Sequence, residues 1–241
     1  MLKKLIPAII ITLTLNACSN KINQTQILND LKEISSDKYE GRATGTKGGA
    51  LAARFITDRF QSLGLQAFTK DYEMPFSFKT RKGEEINGKN IIGFIKGKSE
   101  KAIVISAHYD HLGIKNGVIY NGADDDASGI SAILAYAAYF SKNKPEHTLI
   151  FAAFDAEEMG LTGSKKFVEN PPVDLENISL NINLDMIGRN DKNELFACGT
   201  FHNPQLKPFI FSKNNKPKII LGHDDPKLGS NDWTNQSRVN A

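Results

Sequence analysis

Three consecutive carboxylates, Asp124, Asp125 and Asp126, occupy the segment 121–129, Asn-Gly-Ala-Asp-Asp-Asp-Ala-Ser-Gly. Like charges this close repel, so a chain tolerates them on a solvated turn or around a cation. An isolated triplet reads as a solvated turn, but here the flanks favour the cation. Residues 103–107 (Ile-Val-Ile-Ser-Ala) are an apolar, β-branched run that reads as a buried strand, and it ends in His108-Tyr109-Asp110-His111. Behind the triplet, residues 128–140 carry apolar side chains at helical spacing, with small Ser, Gly and Ala at the start. The carboxylates thus lie in a turn feeding a helix N-terminus, close to a histidine at a strand's end. Carboxylate oxygen plus imidazole suits a divalent metal, zinc being the commonest choice.

The remaining chain supplies the other parts of an α/β domain. Residues 20–37 read as a polar tether and a short helix, and 40–49 as a glycine-rich loop containing Gly41-Arg42 and Gly45-Thr46. Residues 50–63 predict a helix with Leu51, Phe55, Ile56, Phe60 and Leu63 as its buried stripe, stopped by Gly64. Strands are predicted over 65–78, 90–95, 195–198 and 218–221, and helices over 160–168 and 205–212. A second buried apolar run, 147–154, ends at Asp155-Ala156-Glu157-Glu158, and a third, 178–184, ends at Asp185.

Three apolar runs therefore each terminate in metal-ligand chemistry. Strands alternating with helices imply an open, mostly parallel sheet, and in such sheets sites form at the carboxyl ends of the strands. The predicted rim gathers His108, Asp125, Glu157, Glu158 and Asp185. One imidazole and several carboxylates can hold two zinc ions with one carboxylate bridging. Of two adjacent glutamates, one can bind metal while the other serves as general base. Asp110 is placed to accept the second ring N–H of His108.

These residues resemble the secreted di-zinc aminopeptidases, the group that includes bacterial leucyl aminopeptidases and glutamate-carboxypeptidase-like enzymes. The resemblance is carried by His108-Tyr109-Asp110, the segment Gly122 to Gly129, Glu157-Glu158-Met159-Gly160, and Asn183-Leu184-Asp185-Met186-Ile187-Gly188. Gly41-Arg42 with Gly45-Thr46 also looks like the family's amino-terminal loop. The likeness runs from about residue 31 to 236. It implies a three-layer α/β/α sandwich around a mixed, mostly parallel sheet. It implies that His108 and Asp185 bind one zinc, Glu158 the other, and Asp125 both, through a cis peptide to Asp126. Glu157 would be the general base, with Asp110 supporting His108.

The same resemblance implies a further histidine on the second zinc, within a Ser-Asp-His segment. Here Ser230-Asn231-Asp232-Trp233 approaches that pattern and the chain ends at Ala241 without it. The expectation is therefore a C-terminally incomplete domain lacking the final strand and helix, with the second site short of a ligand and weakly occupied. His111, His147 and His202 are read as structural or surface residues, and His223 as a non-ligand.

Residues 1–17 have a basic start at Lys3-Lys4 and an apolar stretch too short to span a bilayer, which reads as a signal peptide. Leu15-Asn16-Ala17-Cys18 resembles a bacterial lipobox, so 18–30 is expected to be a lipidated tether and 31–241 the zinc peptidase domain. The following Ser19 points to the outer membrane, with plain secretion the alternative. The formal charge of +3 falls to 3 − 2 = +1 once Lys3 and Lys4 leave, which excludes a nucleic-acid-binding excess. Cys198 then remains as a single thiol, read as core. The expected partners are a peptide substrate and the membrane through Cys18, the chain acting as a monomer. Two alternatives stand beside the aminopeptidase: an inactive lipoprotein binding peptide or one zinc, and a glutaminyl-cyclase-type acyltransferase.

Overall fold

The three apolar runs lie side by side in one sheet of the computed structural model, which describes residues 21–222, 224 and 238–240. The strands are β1 (Gln66–Ala67), β2 (Glu73–Lys79), β3 (Glu85–Ile95), β4 (Ala102–His108), β5 (Gly113–Lys115), β6 (Val118–Tyr120), β7 (Thr148–Phe154), β8 (Ile178–Asp185), β9 (Glu194–Cys198), β10 (Lys218–Leu221) and β11 (Arg238–Asn240). The helices are α1 (Gln24–Ile34), α2 (Lys47–Ser62), α3 (Gly129–Phe140) and α4 (Thr162–Glu169). The main sheet runs β1-β3-β7-β4-β8-β11-β9-β10, with β2 also on β3, and β5 and β6 form a separate hairpin.

Alternation along the central strands builds the layers. In β7 every residue is buried. Leu149, Phe151 and Ala153 pack with Ile56 and Phe60 of α2 and Ile130, Ile133 and Leu134 of α3. Ile150, Ala152 and Phe154 turn to the other face, with Ile92, Val104 and Phe167 of α4. The strand is apolar throughout because both of its faces are covered. This is the expected α/β/α sandwich. Helix α2 begins with Thr46 accepting from Gly49 N–H and ends before Gly64, whose φ of +74° closes the helix as foreseen.

The sheet is mixed, but less parallel than expected. β4 pairs in parallel with β7 and β8, and β9 in parallel with β10 and β11, whereas β1–β3, β2–β3, β3–β7 and β8–β11 are antiparallel, four pairings of each kind among the described strands of this sheet. The physical reason lies partly in the β2–β3 connection. Lys79 pairs with Glu85, and a span that short admits a hairpin but no crossover. The parallel centre is what matters for the site: with His108 opposite Phe154, the carboxyl ends of β7, β4 and β8 reach one rim.

Four local readings are corrected. The expected helix over 205–212 is a 3-10 turn, Pro204–Phe209, with Pro208 inside it removing a donor. A final strand was expected to be missing, yet Arg238–Asn240 inserts between β8 and β9. The strand predicted over 65–78 divides into β1 and β2. The hairpin β5–β6 was not foreseen, although its two-residue turn, Asn116 (φ 53°) and Gly117 (φ 77°), is a strong type I′ signal. That hairpin rests on Gly41, where a Cβ would stand 2.5 Å from Tyr120 O and 2.6 Å from Gly113 O. Cys198 is buried, as read. Among the described residues no helix is long and apolar enough to cross a membrane. The leader, Cys18, His223 and the Ser230–Trp233 motif lie outside the described residues.

Phe151 is fully buried at the centre of the larger apolar cluster. Phe151→Ala is expected to lower the unfolding free energy by about 3–5 kcal/mol. Urea unfolding followed by circular dichroism checks this, and a loss below about 1 kcal/mol would contradict the packing described.

Candidate metal centre

The aspartate triplet is split three ways by its backbone. Asp125 (φ −104°, ψ 101°) and Asp126 depart from helical dihedrals inside the turn Ala123–Ser128, and the Asp125–Asp126 peptide is cis, as the resemblance implied. Asp124 Oδ1 accepts from Gly188 N–H at 2.8 Å. Asp126 is fully buried; its Oδ2 accepts from His108 N–H at 3.2 Å and its Oδ1 from Gly129 N–H at 3.0 Å and Met186 N–H at 3.2 Å. One carboxylate thereby ties together the end of β4, the start of α3 and the end of β8. Burial pushes the Asp126 carboxyl well above the usual carboxylate range; the nearby His108 and two of these N–H groups oppose the shift. Only the middle carboxylate, Asp125, remains turned toward the rim.

Arg42 fixes the same turn from below. Its guanidinium has no exposed surface, and its donors go to main-chain carbonyls: Nε to Tyr109 (2.8 Å), Nη1 to Ile34 (3.1 Å) and Asn121, Nη2 to Gly122 (2.8 Å) and Asp125 (3.4 Å). Burial lowers its pKa to about 10, against the pull of Asp126, Asp110 and Asp125, so it stays a cation at neutral pH. A guanidinium suits this place because its planar fork offers several donors in fixed directions. The glycine-rich loop thus anchors the end of α1, the loop after β4 and the aspartate turn.

Two groups of ligand atoms result, each with its donor atoms within 4.8 Å of one another: His108, Asp125 and Asp185, and His111, Asp125 and Glu158. In the first, His108 Nε2 lies 3.1 Å from Asp125 Oδ1 and 3.9 Å from Asp185 Oδ1. In the second, His111 Nδ1 lies 2.8 Å from Glu158 Oε1 and 3.8 Å from Asp125 Oδ2. Asp125 offers one oxygen to each imidazole. Glu157 stands beside the first group, Oε2 at 4.0 Å from His108 Nε2, and belongs to neither.

Asp110 braces both groups. Its Oδ1 accepts from Glu157 N–H at 3.0 Å and its Oδ2 from Glu158 N–H at 3.2 Å. The nearer neighbour of His108 Nδ1 is the main-chain oxygen of Asp110, at 3.1 Å, with the carboxylate at 3.5 Å. The foreseen support of His108 therefore comes first from the backbone of Asp110, while its carboxylate holds the glutamate pair.

The electrostatics follow from crowding and burial. Burial raises the Glu157 carboxyl above its ordinary pKa; Asp110, Asp185 and Glu158 add to the rise and His108 opposes it. Burial also works to raise Asp125, but the hydrogen bond from His108 and the charges of His108, His111 and Arg42 outweigh it and hold the carboxyl low. Burial alone would depress His108; Asp110 and Asp125 reverse that and push it well above the ordinary histidine value.

The donor set fits zinc. Each group joins one imidazole to two carboxylates, and His111 Nδ1 is buried with no hydrogen-bond partner among the described residues. The 2.8 Å separation from Glu158 has a hydrogen bond's length without its direction, so the two atoms are close but not hydrogen-bonded. Sequence reading alone does not bring His111 to the rim. The sequence reads His111 as structural or surface, and the second site as lacking an imidazole. The loop after β4 instead curls over Arg42, with His111 N–H donating to Arg42 O at 3.3 Å, and brings the ring to Glu158. The available signal was a second histidine three residues past the strand-end His108.

Arg42→Met keeps the apolar stem and removes every donor. It is expected to weaken zinc binding by roughly 10–100-fold, the range for lost supporting contacts. Competition with a chromogenic chelator measures this, and unchanged affinity would contradict the clamp. Asp126→Asn leaves one acceptor oxygen for three N–H donors. A stability loss of about 1–3 kcal/mol is expected in thermal unfolding.

Comparisons with known proteins identify the family. The family model described as Peptidase family M28 matches residues 90–223, more than half of the chain. A probable zinc metalloprotease of Pyrenophora teres f. teres is 28% identical over 248 residues, 89% of this chain and 52% of that protein. The alkaline phosphatase isozyme conversion protein of Escherichia coli (strain K12) is 27% identical over 171 residues, 64% of this chain and 49% of its own. Aminopeptidase YwaD of Bacillus subtilis is 32% identical over 127 residues, 51% of this chain and 26% of its own. The chain spans about half the length of the first two relatives. Among solved structures, a leucine aminopeptidase precursor from Bacteroides thetaiotaomicron matches with a TM-score of 0.66 at 20% identity, over 91% of this chain and 84% of that one. A Bacteroides thetaiotaomicron glutaminyl cyclase matches with a TM-score of 0.64 at 21% identity, over 78% and 70%. Both likenesses speak to the fold. With its ligand groups and matched residues taken together, the chain belongs to peptidase family M28.

Proposed function

We propose that the chain is a zinc-dependent aminopeptidase that removes N-terminal residues from peptides, with Glu157 as general base. The observation that carries this reading is the position of Glu157: at the rim, beside His108, outside both ligand groups, with its carboxyl pKa raised by burial. A carboxylate so placed is available to move protons rather than to bind metal.

His108, Asp125 and Asp185 would hold one zinc ion, and Asp125 and Glu158 take part in holding a second. Zinc, when bound, polarises a carbonyl and makes water more acidic. The chain's own residues do the rest. Glu157 takes a proton from the attacking water and returns it to the departing amine. Asp110 keeps Glu157 and Glu158 in place through their main-chain N–H groups. Arg42 and Asp126 keep the ligand-bearing loops from spreading under their mutual repulsion.

Two ligand groups sharing Asp125 support the peptidase over the one-zinc glutaminyl-cyclase reading. The leader and lipobox residues support substrates outside the cytoplasm, with the chain tethered to the outer membrane through Cys18.

The test is hydrolysis of aminoacyl anilides before and after chelation, beside cyclisation of N-terminal glutamine peptides. Hydrolysis lost with chelator and restored by zinc supports the proposal. Cyclisation alone favours the acyltransferase, and neither activity favours an inactive binding protein. Glu157→Gln is expected to lower kcat by about 10²–10⁴-fold with zinc content unchanged. A wild-type rate in that variant would remove Glu157 from the mechanism.

A further inference from the structure

His111 is 9% exposed, and its Nδ1 is buried without a hydrogen-bond partner although it lies 2.8 Å from Glu158 Oε1 and 3.8 Å from Asp125 Oδ2. If the ring proton lay on Nδ1, it would not point at the carboxylate. If the nitrogen is unprotonated, its lone pair points past the carboxylate oxygen rather than at it, and two electron-rich atoms sit side by side at close range. Such a pair repels unless a cation lies between their lone pairs. The arrangement is that of two ligands aimed at a common point.

The ring is also held in place rather than left to swing. A Cβ at Gly122 (φ +54°) would come 2.6 Å from His111 Cδ2, so the absence of a side chain there makes the berth for the imidazole. The main chain of His111 is pinned to Arg42 O, and Arg42 in turn holds the carbonyl of Gly122. Asp125 lies between two imidazoles, Oδ1 toward His108 and Oδ2 toward His111.

We propose that His111 is an imidazole ligand of a second zinc ion, forming a three-residue set with Asp125 and Glu158 among the described residues. The proposal rests on the zinc reading of this centre, and it replaces the expectation of a second site short of a ligand. A three-residue protein set leaves zinc a coordination position for water or substrate. Because Asp125 serves both sets, loading one orients a ligand of the other.

The test is zinc content of the full chain, stripped with chelator, reloaded, dialysed and measured by mass spectrometry. Two ions are expected per wild-type chain, and one in His111→Ala. The second site should weaken by more than about 100-fold, beyond what loss of a supporting contact gives. One ion in the wild type, or two equally tight ions in the variant, overturns the assignment of His111 and leaves the first site standing. No zinc in either protein overturns the zinc reading as well. Imidazole nitrogen NMR of the wild-type chain needs no variant: the second equivalent of zinc should shift His111 Nδ1. An unmoved resonance overturns the proposal even if His111→Ala fails to fold.

Discussion

Repulsion among carboxylates is the constraint that the rest of this structure answers. Asp110, Asp125, Asp185, Glu157 and Glu158 converge on one rim of the sheet. Two unit charges within 4.8 Å, the span of each ligand group, cost on the order of 3 kcal/mol at an effective dielectric constant of about 20. The fold counters this cost with fixed partners. Asp126 and Asp110 spend their oxygens on main-chain N–H groups from other segments. Arg42 brings one buried positive charge below the aspartate turn. Asp125 and Glu158 turn toward the two imidazoles, at the place where cations fit.

That arrangement links the layers of the sandwich to its chemistry. The parallel trio β7-β4-β8 sets three chain ends abreast, and its two apolar faces are sealed by α1 to α3 on one side and α4 on the other. Because the strands are clamped on both faces, the loops leaving them start from fixed points. The long-range ties then decide where each loop goes. Arg42 reaches residues nearly eighty positions away, and Asp126 joins β4 to β8 across α3. The metal centre is thus supported by contacts whose partners are main-chain atoms, so small changes in backbone position matter more to it than side-chain composition on the surface.

Much of the fold was legible because burial writes itself into sequence. Runs 103–107, 147–154 and 178–184 are apolar throughout, which marks central strands, and each is followed by chemistry-bearing residues. His108, Asp125, Glu157, Glu158 and Asp185 could be named on that basis, and the geometry gathers them. His111 could not be placed. Its location depends on the course of a loop set by Arg42 and Gly122, and no local pattern encodes that course. The division of labour inside the aspartate triplet was hidden for the same reason: it follows from two non-helical residues, Asp125 and Asp126, in an otherwise helical turn. The antiparallel character of β3 and the β5–β6 hairpin depend on connection length, which for the hairpin is carried locally by Asn116-Gly117.

The central claim is that side chains from three strand ends grip zinc at one rim. Anomalous diffraction at the zinc edge, from crystals of the zinc-loaded chain, tests this without reference to activity. The account predicts strong density enclosed by His108, Asp125 and Asp185, with a second peak beside His111 and Glu158. Zinc bound only elsewhere on the chain, or no peak at this rim, would contradict it.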